Sequence, residues 1–414
     1  MEESAGRLTP VLRLFNTLDR SIKPFRPANR ALAAIFTCGP SVYQKAHIGN
    51  FRTFLFEDIL VRYLEYSGYN VKWGMTITDV EDKAIVQATR QRSTLKRLTD
   101  SNLKEFLEEM KLLRIRIPDH LPRASESINE ATAIITRLLD LGVAYWYKGN
   151  VYFDPLTFPG FGKLYGLDMS KWPAKKKRFH KDTYPGIQWN LGDFILWHGY
   201  HRGDRVFWES RIGRGRPSWN IQDPAMISRY YNETLSIYCG GIDNLYRHHD
   251  YTRAILESVR HYPVARFWLH CRHLLVKGQK MSKSRGNMHY ADTLLSKGYS
   301  PAQVRFFLSY GHYRDELDFS DQAMAATTGR LSEFRRRVNA VAGAAGKEHG
   351  DGVEASLLRS VFLKEMDNDL NVKEAFDGLD RLLSQIRIRD LRPGDARDVV
   401  DVLRQIDQVL QVIF

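Results

Sequence analysis

The stretch ALAAIFTCGPSVYQKAHIGNFRTFLFEDILVRYLEYSGYNVKWGMTI, residues 31–77, decides the fold. It opens with a short apolar run, residues 31–37, closed by Cys38-Gly39-Pro40, which predicts a buried strand. A turn carrying His47-Ile48-Gly49-Asn50 follows. From Phe54 to Tyr66 apolar residues recur at helical spacing (Phe56, Ile59, Leu60, Tyr63, Leu64), and Gly68 stops the pattern. Residues 70–77 then read as a second strand. Strand, turn, helix, strand is a βαβ unit. It sets the His47–Asn50 turn at the carboxyl end of a strand, where open parallel sheets bind ligands.

Working outward, residues 85–145 read as mostly helical, with Leu103, Phe106, Leu107 and Met110 on one stripe. From Asn150 to about Trp219 glycine, proline and aromatics are dense, as in Tyr152-Phe153-Asp154-Pro155, and a small inserted β-rich module is expected. It holds the basic run Lys175-Lys176-Lys177-Arg178, read as a solvated loop, with nucleic-acid contact as the alternative. Residues 220–287 return to strand–helix alternation and supply the second half of the sheet. Residues 300–340 read as helices, residues 340–352 as a linker by composition, and residues 354–414 as helical throughout. The fold class is therefore α/β: a Rossmann-like parallel-sheet domain with an inserted connective module and a C-terminal helical domain.

The chain has 414 residues, for which two or three domains is the expectation. Lys plus Arg number 61 against 48 Asp plus Glu, a net charge of +13 that suits either plain solubility or a polyanionic partner. No apolar run is long enough to span a bilayer. The N-terminal residues lack the apolar core of a secretory signal, so a cytoplasmic location and no membrane partner are expected. Cys38, Cys239 and Cys271 form no C-x-x-C pair, which suits a reducing compartment. Nothing in the sequence fixes the oligomeric state.

No Gly-x-x-x-x-Gly-Lys-Ser/Thr sequence occurs, so a P-loop is excluded. Gly160-Phe161-Gly162 precedes no helical run and reads as a turn. What remains is the His47–Asn50 turn and, roughly 230 residues later, Lys280-Met281-Ser282-Lys283-Ser284 on a loop bracketed by Gly278. Together they resemble the two signatures of the class I aminoacyl-tRNA synthetases. That resemblance implies attack of an amino-acid carboxylate on the α-phosphate of ATP, with Mg2+, and release of pyrophosphate. Such a transition state needs donors and cations already in place. His47 and Asn50, beside a glycine that permits close approach, are the candidate donors, and Lys280 and Lys283 the candidate cations. Gly49, Met281 and Ser282 are further ATP-contact candidates.

Within that class the chain resembles the cysteinyl-tRNA synthetase family along nearly its whole length. The resemblance rests on Thr37–Tyr43, Ile77–Lys83, Arg216–Ile221, Gly240–Asp243, His248-His249, Lys280–Ser284, His312–Arg314 and Met366–Asn371. It implies that Gly241 and Asp243 meet the ribose and adenine and that Thr78 and Trp219 line the amino-acid pocket. For Trp219 core packing is the even alternative. Residues 1–299 would form the catalytic domain, with the connective insertion about 120–219. Residues 300–340 would be a helical stem-contact region and residues 353–414 a helical domain, with no anticodon module visible after it. The expected partners are tRNA and an amino acid.

The family holds Zn2+ through Cys, Cys, His and Glu, and the metal takes the substrate thiolate. Here those positions carry Cys38, Asp223, His248 and Thr252. Zinc accepts carboxylate oxygen and works with three protein ligands, so Cys38, Asp223 and His248 are candidate ligands. The alternative is that no metal binds and Asp223 recognises a substrate amine or hydroxyl. Altered or relaxed amino-acid selectivity is expected. Two further readings stay open. One is a ligase joining an activated amino acid to a small-molecule amine, as in the related mycothiol-pathway enzyme, which also carries Thr at the fourth position. The other is a non-catalytic RNA-binding paralogue.

Overall fold

The computed structural model describes residues 11–168, 193–282 and 285–414. Its centre is a four-stranded, all-parallel sheet in the spatial order Ala265–Cys271, Leu235–Gly241, Ala33–Thr37, Val71–Met75. Chain order runs outward in both directions from the boundary between Ala33–Thr37 and Leu235–Gly241. That boundary is the topological switch point, where an α/β sheet opens a crevice. The two strands part just beyond the bond from Cys38 N–H to the Cys239 carbonyl, 3.1 Å. Every residue of both strands is buried, which is why residues 31–37 read as an unbroken apolar run.

The helix expected from Phe54 begins earlier, at Ile48, and runs to Tyr66. The cause lies inside the motif. His47 Nδ1 accepts the Asn50 N–H at 3.2 Å, and Asn50 Oδ1 accepts the His47 N–H at 3.0 Å. This reciprocal cap starts a helix as Ser and Glu do elsewhere. Gly68, at φ 86°, ends it. Between the ends the helix is buried on almost every side, Phe51, Leu55, Leu60 and Tyr63 included.

On one face of the sheet a single apolar cluster extends from Ile35 and Phe51 through Phe306 and Phe334 to Phe376 and Leu410. The helices Val353–Met366, Val372–Gln385 and Pro393–Leu410 thus share the core of the sheet. Fully buried Arg305 stitches the two together, reaching Asp58 Oδ2 at 2.6 Å, the Leu410 carbonyl at 2.7 Å and the Leu113 carbonyl at 3.1 Å. A buried guanidinium is tolerable only when its donors are occupied in this way. The start of the expected linker is corrected. The helix Asp321–Ala344 continues past Ala340, because Val338 and Val341 still face the shared core.

The other face carries a second cluster with the helices Ile128–Asp140, Trp219–Tyr230 and Asp250–Val259. Beside it lies an antiparallel sheet of Ala144–Tyr147, Asn150–Phe153, Phe194–Gly199 and Gly215–Pro217. The β-rich module therefore begins six residues before Asn150, at Ala144. Gly160–Gly162 lies in turns. Lys175–Arg178 lie outside the described residues. No helix among the described residues is long and apolar enough to cross a membrane.

Candidate active site

A cleft of about 280 Å³ opens at the switch point, walled by Cys38, His47, Asn50, Trp219, Gly241 and Asp243. At its outer end lies the amino terminus of the His47 helix. There the positive end of the helix dipole favours an anion. Burial pushes the His47 imidazole down to about 4, with Asp243 opposing and Lys280 assisting. The ring is therefore neutral near pH 7. Because its Nδ1 accepts from Asn50, its proton sits on Nε2, available to donate to a phosphate oxygen.

Opposite stands Lys280. It ends a hairpin in which Leu274–Val276 pairs with Gln279–Lys280. The two-residue turn Lys277-Gly278, at φ 53° and 70°, is of the kind that needs positive φ at both positions. That tight turn fixes the direction in which Lys280 leaves the sheet. Its Nζ meets Asp243 Oδ2 at 3.1 Å. The protein packed around it would raise the Asp243 carboxyl, but Lys280 and His273 outweigh that and hold it below the ordinary range. Met281 packs on the helix start: a Cβ built on Gly49 would lie 2.7 Å from Met281 Cε, so the glycine lets that side chain close on the turn. Ser282 N–H is held by Asn287 Oδ1 at 2.9 Å. Lys283 and Ser284 lie outside the described residues.

The inner end of the cleft is built differently. Asp223, on the helix Trp219–Tyr230 and 1% exposed, is the hub. Its Oδ2 accepts from Tyr238 Oη at 2.5 Å and Cys38 Sγ at 3.2 Å, and lies 2.9 Å from His248 Nε2. Burial would raise this carboxyl, yet His248, Tyr238 and Cys38 hold it below its usual range. Burial and the Asp223 charge push the Cys38 thiol well up. Behind it, His249 Nε2 is 2.9 Å from Cys38 Sγ and His249 Nδ1 is 2.8 Å from His270 Nε2. Trp219 stacks on His248 at 4.0 Å and 14°. The turn that aims both histidines is strained: Arg247, 8% exposed, sits at φ 66°, ψ −60°.

One ligand atom from each of Cys38, Asp223 and His248 lies within 4.8 Å of the other two, a group able to hold a metal ion. Sulfur, carboxylate and imidazole form a donor set that zinc accepts. Asp223 Oδ1, His248 Nδ1 and Thr252 Oγ1 are buried with no hydrogen-bond partner among the described residues. Buried polar atoms left without a protein partner are placed to meet a further group. On both counts the residues fit a small cation.

The fold therefore draws Cys38, Trp219, Asp223 and His248 to one end of the cleft and His47, Asn50, Asp243 and Lys280 to the other. Thr78 stands behind the wall: its N–H donates to the Pro40 carbonyl and its carbonyl accepts from Val42, bracing residues 40–42. Sequence reasoning passed over Tyr238, whose hydroxyl is buried against Asp223. Its signal was a hydroxyl-bearing ring in the middle of a wholly buried strand. Lys45 was also passed over, although it precedes the His47 turn by two residues.

Solved structures share this architecture. Mycobacterium tuberculosis methionyl-tRNA synthetase bound by methionyl-adenylate matches with TM-score 0.63 at 14% identity, covering 93% of this chain and 92% of that one. The Agrobacterium radiobacter K84 LeuRS in its ternary complex with tRNA and LeuAMS matches with TM-score 0.68 at 11% identity, over 94% and 85%. The fold is that of the class I aminoacyl-tRNA synthetases. Residues 24–329 match the family model described as tRNA synthetases class I (C) catalytic domain. The cysteine--tRNA ligase of Chlamydia abortus is 37% identical over 413 residues, 97% of this chain and 86% of that protein. The chain belongs to the cysteinyl-tRNA synthetase family and is a ligase of the aminoacyl-tRNA synthetase type.

Proposed function

We propose that this chain activates cysteine with ATP and Mg2+ and transfers it from the adenylate to tRNA. The observation that carries this reading is the two-ended cleft: a capped helix amino terminus with His47, Asn50 and Lys280 at one end, and Cys38, Asp223 and His248 at the other. At the outer end neutral His47 donates from Nε2 and Lys280, released from Asp243, neutralises charge growing on the phosphates. Lys283 is assigned the second cationic contact, and Gly49, Met281 and Ser282 the loop's contacts to ATP. Gly241 and Asp243 take the ribose and adenine. Trp219 walls the amino-acid pocket, with Thr78 supporting it from behind.

At the inner end Cys38, Asp223 and His248 would hold Zn2+. When bound, the ion would supply a Lewis-acid contact for the substrate sulfur. Tyr238, by donating to Asp223, and His249, by facing Cys38 Sγ, orient two of the three ligands. A carboxylate in place of a second thiolate makes the site harder, which weakens the preference for sulfur over oxygen. Selection of cysteine over serine should therefore be relaxed. Residues 1–299 serve as the catalytic unit, with the insertion about 120–219. Residues 300–340 are assigned to the acceptor stem, and residues 353–414 form the helical domain. The +13 charge supports a polyanionic partner.

The test is ATP–pyrophosphate exchange across a panel of amino acids, with zinc measured on the same sample and charging of tRNA followed in parallel. Cysteine-dependent exchange, measurable exchange with serine, and one zinc per chain are expected. Exchange with some other amino acid alone would overturn cysteine as the substrate.

A further inference from the structure

Lys45 makes contacts that the mechanism above does not use. It lies two residues before the helix cap and meets carboxylates from two separate helices. Its Nζ is 2.7 Å from Glu105 and 3.4 Å from Glu109 on the helix Leu95–Leu112, and 2.8 Å from Asp292 on the helix Ala291–Ser296. Its side chain is 25% exposed and also borders the cleft. Asp292 comes 12 residues after Lys280, and bonds tie described parts of the chain between them. Ile48 N–H donates to the His289 carbonyl at 3.0 Å. Asn287 accepts from Ser282 N–H, and both Arg285, at 3.2 Å, and Asn287, at 3.4 Å, donate to the Lys280 carbonyl. The Leu95–Leu112 helix is also pinned to the segment that leads into the His47 cap, through Asn102, which donates to the Val42 carbonyl at 3.0 Å.

These bonds make one mechanical path, from Lys45 through Asp292 and the 285–289 segment to the Lys280 backbone. We propose that Lys45 is a positioning residue for ATP. By clamping Asp292 and the Glu105/Glu109 helix to the His47 turn, it sets the distance across the cleft between His47 and Lys280. The two motifs are far apart in sequence, and among the described residues few hydrogen bonds join them. A lysine hydrogen-bonded to Glu105 and Asp292, with Glu109 beside it, is a fixed point in that span. Small misplacements of a transition-state contact are costly, since about 1 Å can lose up to ~100-fold.

The inference rests on the adenylation reading and is tested by a double-mutant cycle in ATP–pyrophosphate exchange with Lys45→Met, Asp292→Asn and both together. Expected is a fall of about tenfold in kcat/KM for ATP with either single variant, no further fall in the double, and an unchanged amino-acid KM. Lys45→Arg, which keeps the charge and reach, should restore most of the loss. Lys45 borders the cleft, so it could instead touch phosphate directly. In that case Asp292→Asn, by freeing the ammonium, leaves ATP use unchanged or improves it, and the losses add; either result overturns the clamp. Equal changes in both KM values with a matching drop in Tm would reduce Lys45 to a structural contact and overturn it as well. If the unmodified protein shows no exchange with any amino acid, the adenylation reading fails. The same cycle is then read from ATP affinity by equilibrium titration, where non-additive losses support the clamp and additive ones overturn it.

Discussion

The two ends of the cleft solve opposite problems. At the outer end, charge is kept available: Lys280 is half exposed, and its partner Asp243 is equally open to solvent. At the inner end charge is sequestered: Asp223 and His248 are almost fully buried, and Tyr238 and Cys38 close around the carboxylate. An exposed ion pair is worth little in stability, so Lys280 can exchange Asp243 for a phosphate at small cost. A buried carboxylate that loses its partners is expensive, so the inner end is rigid. The outer end is therefore suited to a group that carries its own charge. The inner end presents a pre-set arrangement into which a cation or a side chain must fit.

The largest effect expected from this contrast is at the inner end. Asp223→Ala removes the acceptor shared by Tyr238, His248 and Cys38 and should destabilise the fold by about 3–5 kcal/mol, read from urea unfolding. Zinc content should fall with it. A variant as stable as the parent would place Asp223 outside the hub described here. Lys280→Ala should instead leave Tm nearly unchanged while exchange drops about 10²–10³-fold, the usual loss for one preorganised electrostatic contact. If stability fell and exchange did not, the contrast between the ends would be reversed.

His47→Ala combines the two behaviours more weakly. Loss of the cap should cost about 1 kcal/mol in thermal or denaturant unfolding, with a separate loss in exchange. His47→Asn, which keeps a side-chain acceptor for the helix start, should recover the stability and not the exchange. The smallest effect concerns pH. Burial pushes the Glu109 carboxyl up to about 7, with Lys45 opposing. The folded protein thus holds this proton more tightly than the unfolded chain does. The associated stability is present at low pH and is lost as pH rises from the ordinary carboxylate range through about 7. Glu109→Gln should flatten that part of the stability–pH curve, measured by urea titrations at several pH values. An unchanged slope would mean that Glu109 is solvated.

Much of the outer end was legible in the sequence because its geometry is local. The His47–Asn50 cap closes within four residues, and the Lys277-Gly278 turn fixes Lys280 within three. The reading missed the early helix start only because histidine and asparagine are not the usual capping-box pair. The inner end was partly legible: Cys38, Asp223 and His248 were named together, but from a family pattern rather than from spacing. Tyr238 and Lys45 were not read at all. Each acquires its role from partners 15 to 247 residues away, Asp223 for Tyr238 and Asp292 for Lys45.

The sequence by itself determined the parallel sheet, the family and the two motifs that the fold brings to the outer end of the cleft. Apolar runs, turn residues and short motifs are set by chain-local physics. Tertiary structure decided the rest. It brought four strands together so that Cys38 and Gly240 part at the switch point, and it merged the C-terminal helices into the sheet's own core through Arg305. It also enclosed Asp223, where burial would raise the carboxyl but His248, Tyr238 and Cys38 hold it below the ordinary range. Burial and partner distance belong to the folded chain, and no local pattern encodes them.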